Sequence, residues 1–185
     1  GPWLAWAIEL AEALLRHFED REAGGFFFTA DDHETLILRP KTFGDDATPA
    51  GNGVAARLLL RLGFLLAEPR YLDAAERTLR AGWSLLERYP HAHTSLLMAL
   101  DELTEPPTIV VLRGADDDLA VWRAELDKLY DPRRMVVAIP ADATDLPASL
   151  ADKRAGASTI AYICRGTTCS APLSTLGELV RALKH

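Results

Sequence analysis

Cysteine is scarce, with two in 185 residues. That excludes a disulfide framework and points to a reducing, cytoplasmic setting. No apolar run approaches the ~20 residues needed to cross a bilayer, so no membrane span is expected. The chain does not open on a basic region followed by an apolar core, so no signal peptide is read there. Clustered positive charge is also missing. Lys and Arg number 20 against 27 Asp and Glu, a formal charge of −7, which argues against nucleic acid as a partner. There is no C-x-x-C pair and no G-x-G-x-x-G. Gly114 stands between a strand pattern and a helix pattern, but Asp116, Asp117 and Asp118 follow it and would repel phosphate. The histidines are scattered. His91 and His93 share one side only in an extended segment, and His17, His33 and His185 lie far off in sequence. Neither a metal nor a cofactor is expected.

What is present is apolar residues in helical rhythm. The hydrophobic fraction of 49% is ample for a core, and the length suits one domain or two small ones. From Trp3 to Phe18, the residues Leu4, Ala7, Ile8, Ala11, Leu14, Leu15 and Phe18 recur at the spacing of one helix face. Gly24-Gly25 turns the chain. Phe26–Thr29 and Thr35–Leu38 read as two short extended pieces forming a small hairpin, with the phenylalanines as packing residues. Thr48-Pro49 predicts a helix start, with Thr48 capping and Pro49 in the first position. That helix is expected over 49–66 with Val54, Leu58, Leu62 and Leu65 on its apolar face. Further helices are expected over 71–87 and 93–103, the former with Leu72, Ala75, Leu79, Trp83 and Leu86 on one side. Short connections between them favour antiparallel hairpins.

Glu105-Pro106-Pro107 marks a change of composition and of period. It divides a helical-hairpin region, residues 3–105, from a small α/β domain, residues 106–185. Strands are expected at 108–113, 134–139 and 159–164, and helices at 117–130 and 175–183. Thr175 and Glu178 have the spacing of a capping box. Continuous apolar strands in strand–helix–strand order predict a mainly parallel sheet with a right-handed crossover. The class is α+β overall.

Several separate pieces carry a resemblance. They are GGFFFTADD at Gly24–Asp32, LRPK at Leu38–Lys41, DDATPAGNGVAARLLLRL at Asp45–Leu62 and YICRGTTCSAP at Tyr162–Pro172. In this order they resemble the C-terminal portion of the large thioredoxin-domain-containing proteins, the family that includes spermatogenesis-associated protein 20. The resemblance implies that the helical hairpins are part of an (α/α) toroid, similar to that of N-acylglucosamine 2-epimerases and six-hairpin glycosidases. It also implies partners outside this chain: an N-terminal thioredoxin-like domain and the remaining toroid helices. The chain departs from the family where the usual DGAxPSGNS reads DDATPAGNG, and in lacking the thioredoxin domain and most of the toroid.

Asp45, Asp46 and Asn52 surround the start of the central helix and form the best candidate site. In one reading they line the mouth of the toroid, where carboxylates would do acid–base work on a sugar-like substrate. In the other they cap turns. Adjacent carboxylates alone do not make a glycosidase pair. Arg39 and Lys41 would pair with those acids, bind a substrate anion, or close salt bridges within the loop. Cys164 and Cys169 flank Gly166, and the resemblance places cysteines here in many relatives. They read as two structural thiols, as a disulfide or redox pair across the turn, or as metal ligands.

Three functions follow from these readings. The chain is a fragment without turnover of its own that offers part of a carbohydrate-type pocket. It is a sugar epimerase or glycosidase-like enzyme. Or it is an interaction module that docks a thioredoxin-like domain. Four helices cannot close a toroid, so an apolar face is expected to remain, with Leu4, Ile8, Leu15, Phe18, Leu58, Leu62 and Leu65 as its residues. Such a face leads either to a symmetric homodimer or to a compact rearranged bundle.

Overall fold

The computed structural model describes residues 2–184. Half of the residues are helical and 13% lie in strands, so the α+β class holds. The backbone groups into two units. One runs up to Phe64 and resumes over Glu68–Glu105; the other holds Leu65–Ala67 and the chain from Pro106 onward.

In the first unit, α1 (Pro2–Ala13) runs directly into a π-helical turn over Leu14–Phe18. Its inward face is the one expected: Ala11 and Leu15 are buried, and Leu4, Ile8 and Phe18 are half-buried. The apolar residues left in solvent are others, Trp3, Trp6 and Leu10. Trp3 and Trp6 meet edge to face, with ring centroids 6.1 Å apart. From α3 (Pro69–Arg88), the buried Tyr71 donates its hydroxyl to Glu12 of α1 at 2.7 Å. Burial and that bond push the Tyr71 phenol up to about 12. The buried stripe of α3 includes Tyr71, Ala75, Leu79 and Leu86 but not Trp83, which is 48% exposed. A short 3-10 turn, Pro90–Ala92, leads into α4 (Thr94–Thr104).

The central helix α2 is Gly51–Leu66, two residues later than the Thr48-Pro49 signal predicts. The reason is that Asp45, not Thr48, accepts the N–H of Ala50, at 2.8 Å. Its apolar face also differs from expectation. Ala55, Ala56, Leu59 and Leu60 are buried along with Leu62 and Leu65, whereas Val54 is 52% exposed and Leu58 half-buried. Small residues let neighbouring helices come close on the buried side. A Cβ built on Gly53 would lie 2.1 Å from Ser95 Oγ and 2.7 Å from Leu96 N, at the start of α4. The stripe carrying Val54, Arg57, Leu58 and Arg61 is the side left over.

The hairpin expected over 26–38 does not form. Among the described residues, only an isolated bridge between Glu19 and Phe26 is sheet-like there. The backbone of this stretch bonds elsewhere: Phe27 N donates to Phe18 O, Phe28 N to Pro40 O and Asp31 N to His17 O. Only Phe26 is a core residue; Phe28, Ile37 and Leu38 lie in solvent.

The second unit is a four-stranded sheet with order β2-β1-β3-β4. Its elements are β1 (Thr108–Gly114), α5 (Asp116–Asp127), β2 (Met135–Pro140), a single turn α6 (Ala148–Ala151), β3 (Ile160–Arg165), β4 (Thr168–Cys169) and α7 (Leu176–Leu183). β1 and β2 are parallel, as the intervening α5 requires. The sheet is nevertheless not mainly parallel: β3 runs antiparallel to β1, with Ile109 opposite Cys164, and β4 antiparallel to β3. Apolar strand composition does not set direction; the connection does. After β2 the chain forms only the four-residue α6, too short to carry it back across the sheet, so β3 starts at the end where β2 stopped. Val110, Leu112, Ala161 and Ile163 form one core with Leu119, Trp122 and Leu126 of α5 and Leu179 of α7. Thr175 and Glu178 close the capping box at the start of α7.

Candidate ligand-binding site

Asp45 sits where two helices begin. Its Oδ1 accepts from Ala50 N just ahead of α2 and from the Ser95 hydroxyl. Its Oδ2 accepts from Ser95 N and Thr94 Oγ1, both at 2.8 Å, in the first turn of α4. No side chain of α4's own cap position bonds that turn, so Asp45 caps the helix from 50 residues away in sequence. Burial pushes this carboxyl up, but the bonds from Ala50, Ser95 and Thr94 outweigh it and hold Asp45 well below the usual carboxylate range. A carboxylate so engaged is poorly suited to accept a proton near neutrality.

Asn52 is buried and likewise committed. Its Oδ1 accepts from Phe26 N at 2.7 Å, and its Nδ2 donates to Phe26 O at 3.0 Å and Thr42 O at 2.9 Å. The side-chain amide pairs with Phe26 as a neighbouring strand would. This supplies the partner that the missing hairpin does not.

Arg39 and Lys41 do not meet Asp45 or Asp46. Arg39 donates to the carbonyls of Thr29 and His17 and lies over the Phe27 ring, 4.3 Å from its centroid. Lys41 pairs with Asp20 at 2.6 Å and donates to Gly24 O at 2.9 Å. Of the three expected roles, Lys41 takes the salt bridge within the loop, and Arg39 takes none of them.

Asp46 differs from its neighbours. It is exposed, and among the described residues its carboxylate receives no hydrogen bond or ion pair. It lies on a ridge between two cavities of about 520 Å³ each, which share Asp46, Thr48 and Pro49. One cavity runs along the exposed stripe of α2, past Val54 and Leu58, and is closed by Thr94 and Met98 of α4. The other is walled by Phe18, Phe26, Phe27 and Phe28 and reaches Asn52. Asp45 and Asn52 therefore line different cavities, and Asp46 lines both.

The far end of the α2 cavity holds a group that the sequence did not single out. Arg57 and Arg61, one turn apart on α2, both bond the buried Glu102 of α4. Arg57 Nε lies 2.7 Å from Oε1, Arg61 Nη2 2.6 Å from Oε1, and Arg61 Nε 2.9 Å from Oε2. Burial raises the Glu102 pKa, but the two arginines outweigh it and leave it below its ordinary value. The i, i+4 spacing of two arginines beside Val54 and Leu58 was the available signal.

Two further clusters stand apart. Cys164 and Cys169 are opposite each other on β3 and β4, their Cα atoms 4.0 Å apart, and are joined in a disulfide across the turn at Gly166. Gly166 takes φ +57°, which favours glycine. Of the three open readings this pairing is the disulfide one, and it leaves neither structural thiols nor thiolate metal ligands. His17, Asp31 and Asp32 bring one ligand atom each within 4.8 Å of one another, a grouping that the sequence spacing did not suggest. His17 Nδ1 lies 2.9 Å from Asp31 Oδ1, and that bond lowers the Asp31 pKa. All three reach solvent, and among the described residues nothing buried completes a ligand set.

No helix is long and apolar enough to cross a membrane among the described residues. No protein-family model matches the chain. It is 29% identical over 192 aligned residues to "Spermatogenesis-associated protein 20" of Homo sapiens, and 29% identical to the protein of the same name from Rattus norvegicus. A Caenorhabditis elegans protein described as uncharacterized is 28% identical over 96% of the chain. The alignment with the human protein takes in 99% of this chain and 24% of the relative, so the chain spans about a quarter of the length of the curated relatives it matches. On that extent of similarity, the chain is homologous to spermatogenesis-associated protein 20 and fits a C-terminal portion of that family.

Proposed function

We propose that this chain supplies a carbohydrate-type small-molecule pocket to a longer protein and does not turn the ligand over by itself. The observation behind this is the cavity along α2, where the unengaged Asp46 carboxylate and the hydroxyls of Thr48 and Thr94 stand beside Val54, Leu58 and Met98. Sugars present hydroxyl edges to acceptors and C–H faces to apolar walls, and this lining offers both. Glycoside hydrolysis needs two working carboxylates about 5–9.5 Å apart. Here Asp45 is held by Ala50, Ser95 and Thr94, which among the described residues leaves Asp46 as the one acid lining the cavity that is free to work. The further toroid helices and thioredoxin-like domain implied by the sequence resemblance remain part of the proposal, as does a cytoplasmic setting.

The test is calorimetric titration of a panel of neutral monosaccharides and disaccharides into the chain, with parallel incubations analysed for epimerised or hydrolysed product. Millimolar binding that is lost in Asp46→Ala, without product, supports the reading. Product formation would move the chain to the epimerase or glycosidase reading. Absence of binding to every sugar would remove the carbohydrate reading.

A further inference from the structure

The α2 cavity is bipolar. Asp46 lies just ahead of α2, whereas Arg57 is six residues beyond Gly51. At the helical rise this places Arg57 about 9 Å along the helix from its first residue, Gly51. Two guanidinium groups share one carboxylate at that end, so one positive charge is left over. The leftover charge has free donors. Arg57 uses only Nε on Glu102, and among the described residues nothing accepts from its two terminal nitrogens. Arg61 is held by contacts to both Glu102 oxygens. Glu102 is buried and fixes both arginines on the cavity wall, while their side chains remain 31% and 28% exposed.

We propose that the pocket takes a sugar acid: a polyhydroxylated ligand with one carboxylate, which Arg57 binds through its two terminal nitrogens, while Asp46, Thr48 and Thr94 meet the hydroxyls. This rests on the carbohydrate reading above and narrows it. A planar guanidinium with two adjacent free N–H groups matches a carboxylate bidentately. One leftover positive charge balances one negative charge. A phosphate monoester would bring a second negative charge into a cavity that already holds the carboxylates of Asp45 and Asp46. The apolar stretch between the two ends, Val54 and Leu58, faces the ring.

The experiment titrates the whole chain with D-glucuronate, D-glucose, D-glucose 6-phosphate and inorganic phosphate at pH 7 and low salt. Glucuronate is expected to bind about tenfold tighter than glucose, the effect of the added charge-assisted contact with Arg57. The preference should shrink several-fold between low salt and half-molar salt. In Arg57→Gln it should fall to within about twofold. The salt series on the unmodified chain decides the matter even if that variant folds poorly. Equal binding of glucose and glucuronate overturns this inference and leaves the carbohydrate reading intact. Inorganic phosphate binding as tightly as glucuronate also overturns it, because the arginines would then form an anion site indifferent to the sugar. No binding by any probe removes both readings.

Discussion

Replacing Asp45 by asparagine tests the structural heart of the first unit with a change of one atom. Each carboxylate oxygen faces one backbone N–H that cannot turn around: Oδ1 faces Ala50 N, and Oδ2 faces Ser95 N. The hydroxyls of Ser95 and Thr94 can reverse and accept, but the backbone groups cannot. An asparagine therefore sets its NH2 against an amide N–H in either orientation. One N–H loses its acceptor, and the negative charge that favours the first turn of α4 is removed. A lost bond to a charged group costs about 1.5–3 kcal/mol, and the lost charge at a helix start about 0.3–1 kcal/mol. A destabilisation of about 2–4 kcal/mol is expected. It should be read by urea unfolding at pH 7, with tryptophan fluorescence alongside far-UV circular dichroism, because the two units need not unfold together. The pH dependence supplies a second check. The folded pKa of Asp45 lies below its ordinary value of 3.8, so its contribution is complete above about pH 5 and is lost as the pH falls. Wild-type stability should drop on acidification from pH 5 toward pH 3, and Asp45→Asn should drop less. A change below about 0.5 kcal/mol at pH 7 with an unaltered acid slope would refute the capping role.

The other expectations rest on separate contacts. Gly53→Ala drives a methyl group into the backbone at Leu96 N, 2.7 Å away, and should cost several kcal/mol in the same unfolding assay, about 3 or more; an unchanged midpoint would mean that α2 and α4 are not so close. Asn52→Ala removes every partner of the Phe26 backbone supplied by that amide and should cost about 2–4 kcal/mol. Hydrogen exchange at Phe26 should accelerate in that variant, and continued protection would contradict the assignment. Reducing Cys164–Cys169 opens a loop closed by a sequence separation of five, so the stability lost should be about 2 kcal/mol. A melt with and without a phosphine reductant measures this, and mass spectrometry of alkylated protein reports whether the bond is present at all.

Much of the helical part was legible because it depends on local period. α3, α4, α5 and α7 follow apolar spacing and punctuation such as Glu105-Pro106-Pro107 and Thr175 with Glu178. What was not legible depends on distant partners. Asp45 and Asn52 were readable as polar residues near a helix start, but their tasks are set by Ser95, 50 positions on, and by Phe26, 26 positions back. The Thr48-Pro49 start was misplaced for the same reason. Phe26–Thr29 and Thr35–Leu38 have strand composition without strand pairing, since an asparagine side chain satisfies Phe26 instead. The direction of β3 was hidden because an apolar strand looks the same in a parallel or an antiparallel sheet. Asp46 lines two cavities, and the arginine end of one of them depends on α4, which brings Glu102 beneath Arg57 and Arg61.

The most direct test of the pocket assignment is a ligand titration followed by 15N–1H NMR on the labelled chain. The account predicts that D-glucuronate shifts a continuous set of amides: Asp46 to Thr48, Val54 to Leu58, and Thr94 to Met98. Cys164 to Cys169 and the rest of the sheet should stay still. Saturating ligand that moves no amide in that set, or moves only residues of the second unit, would contradict it.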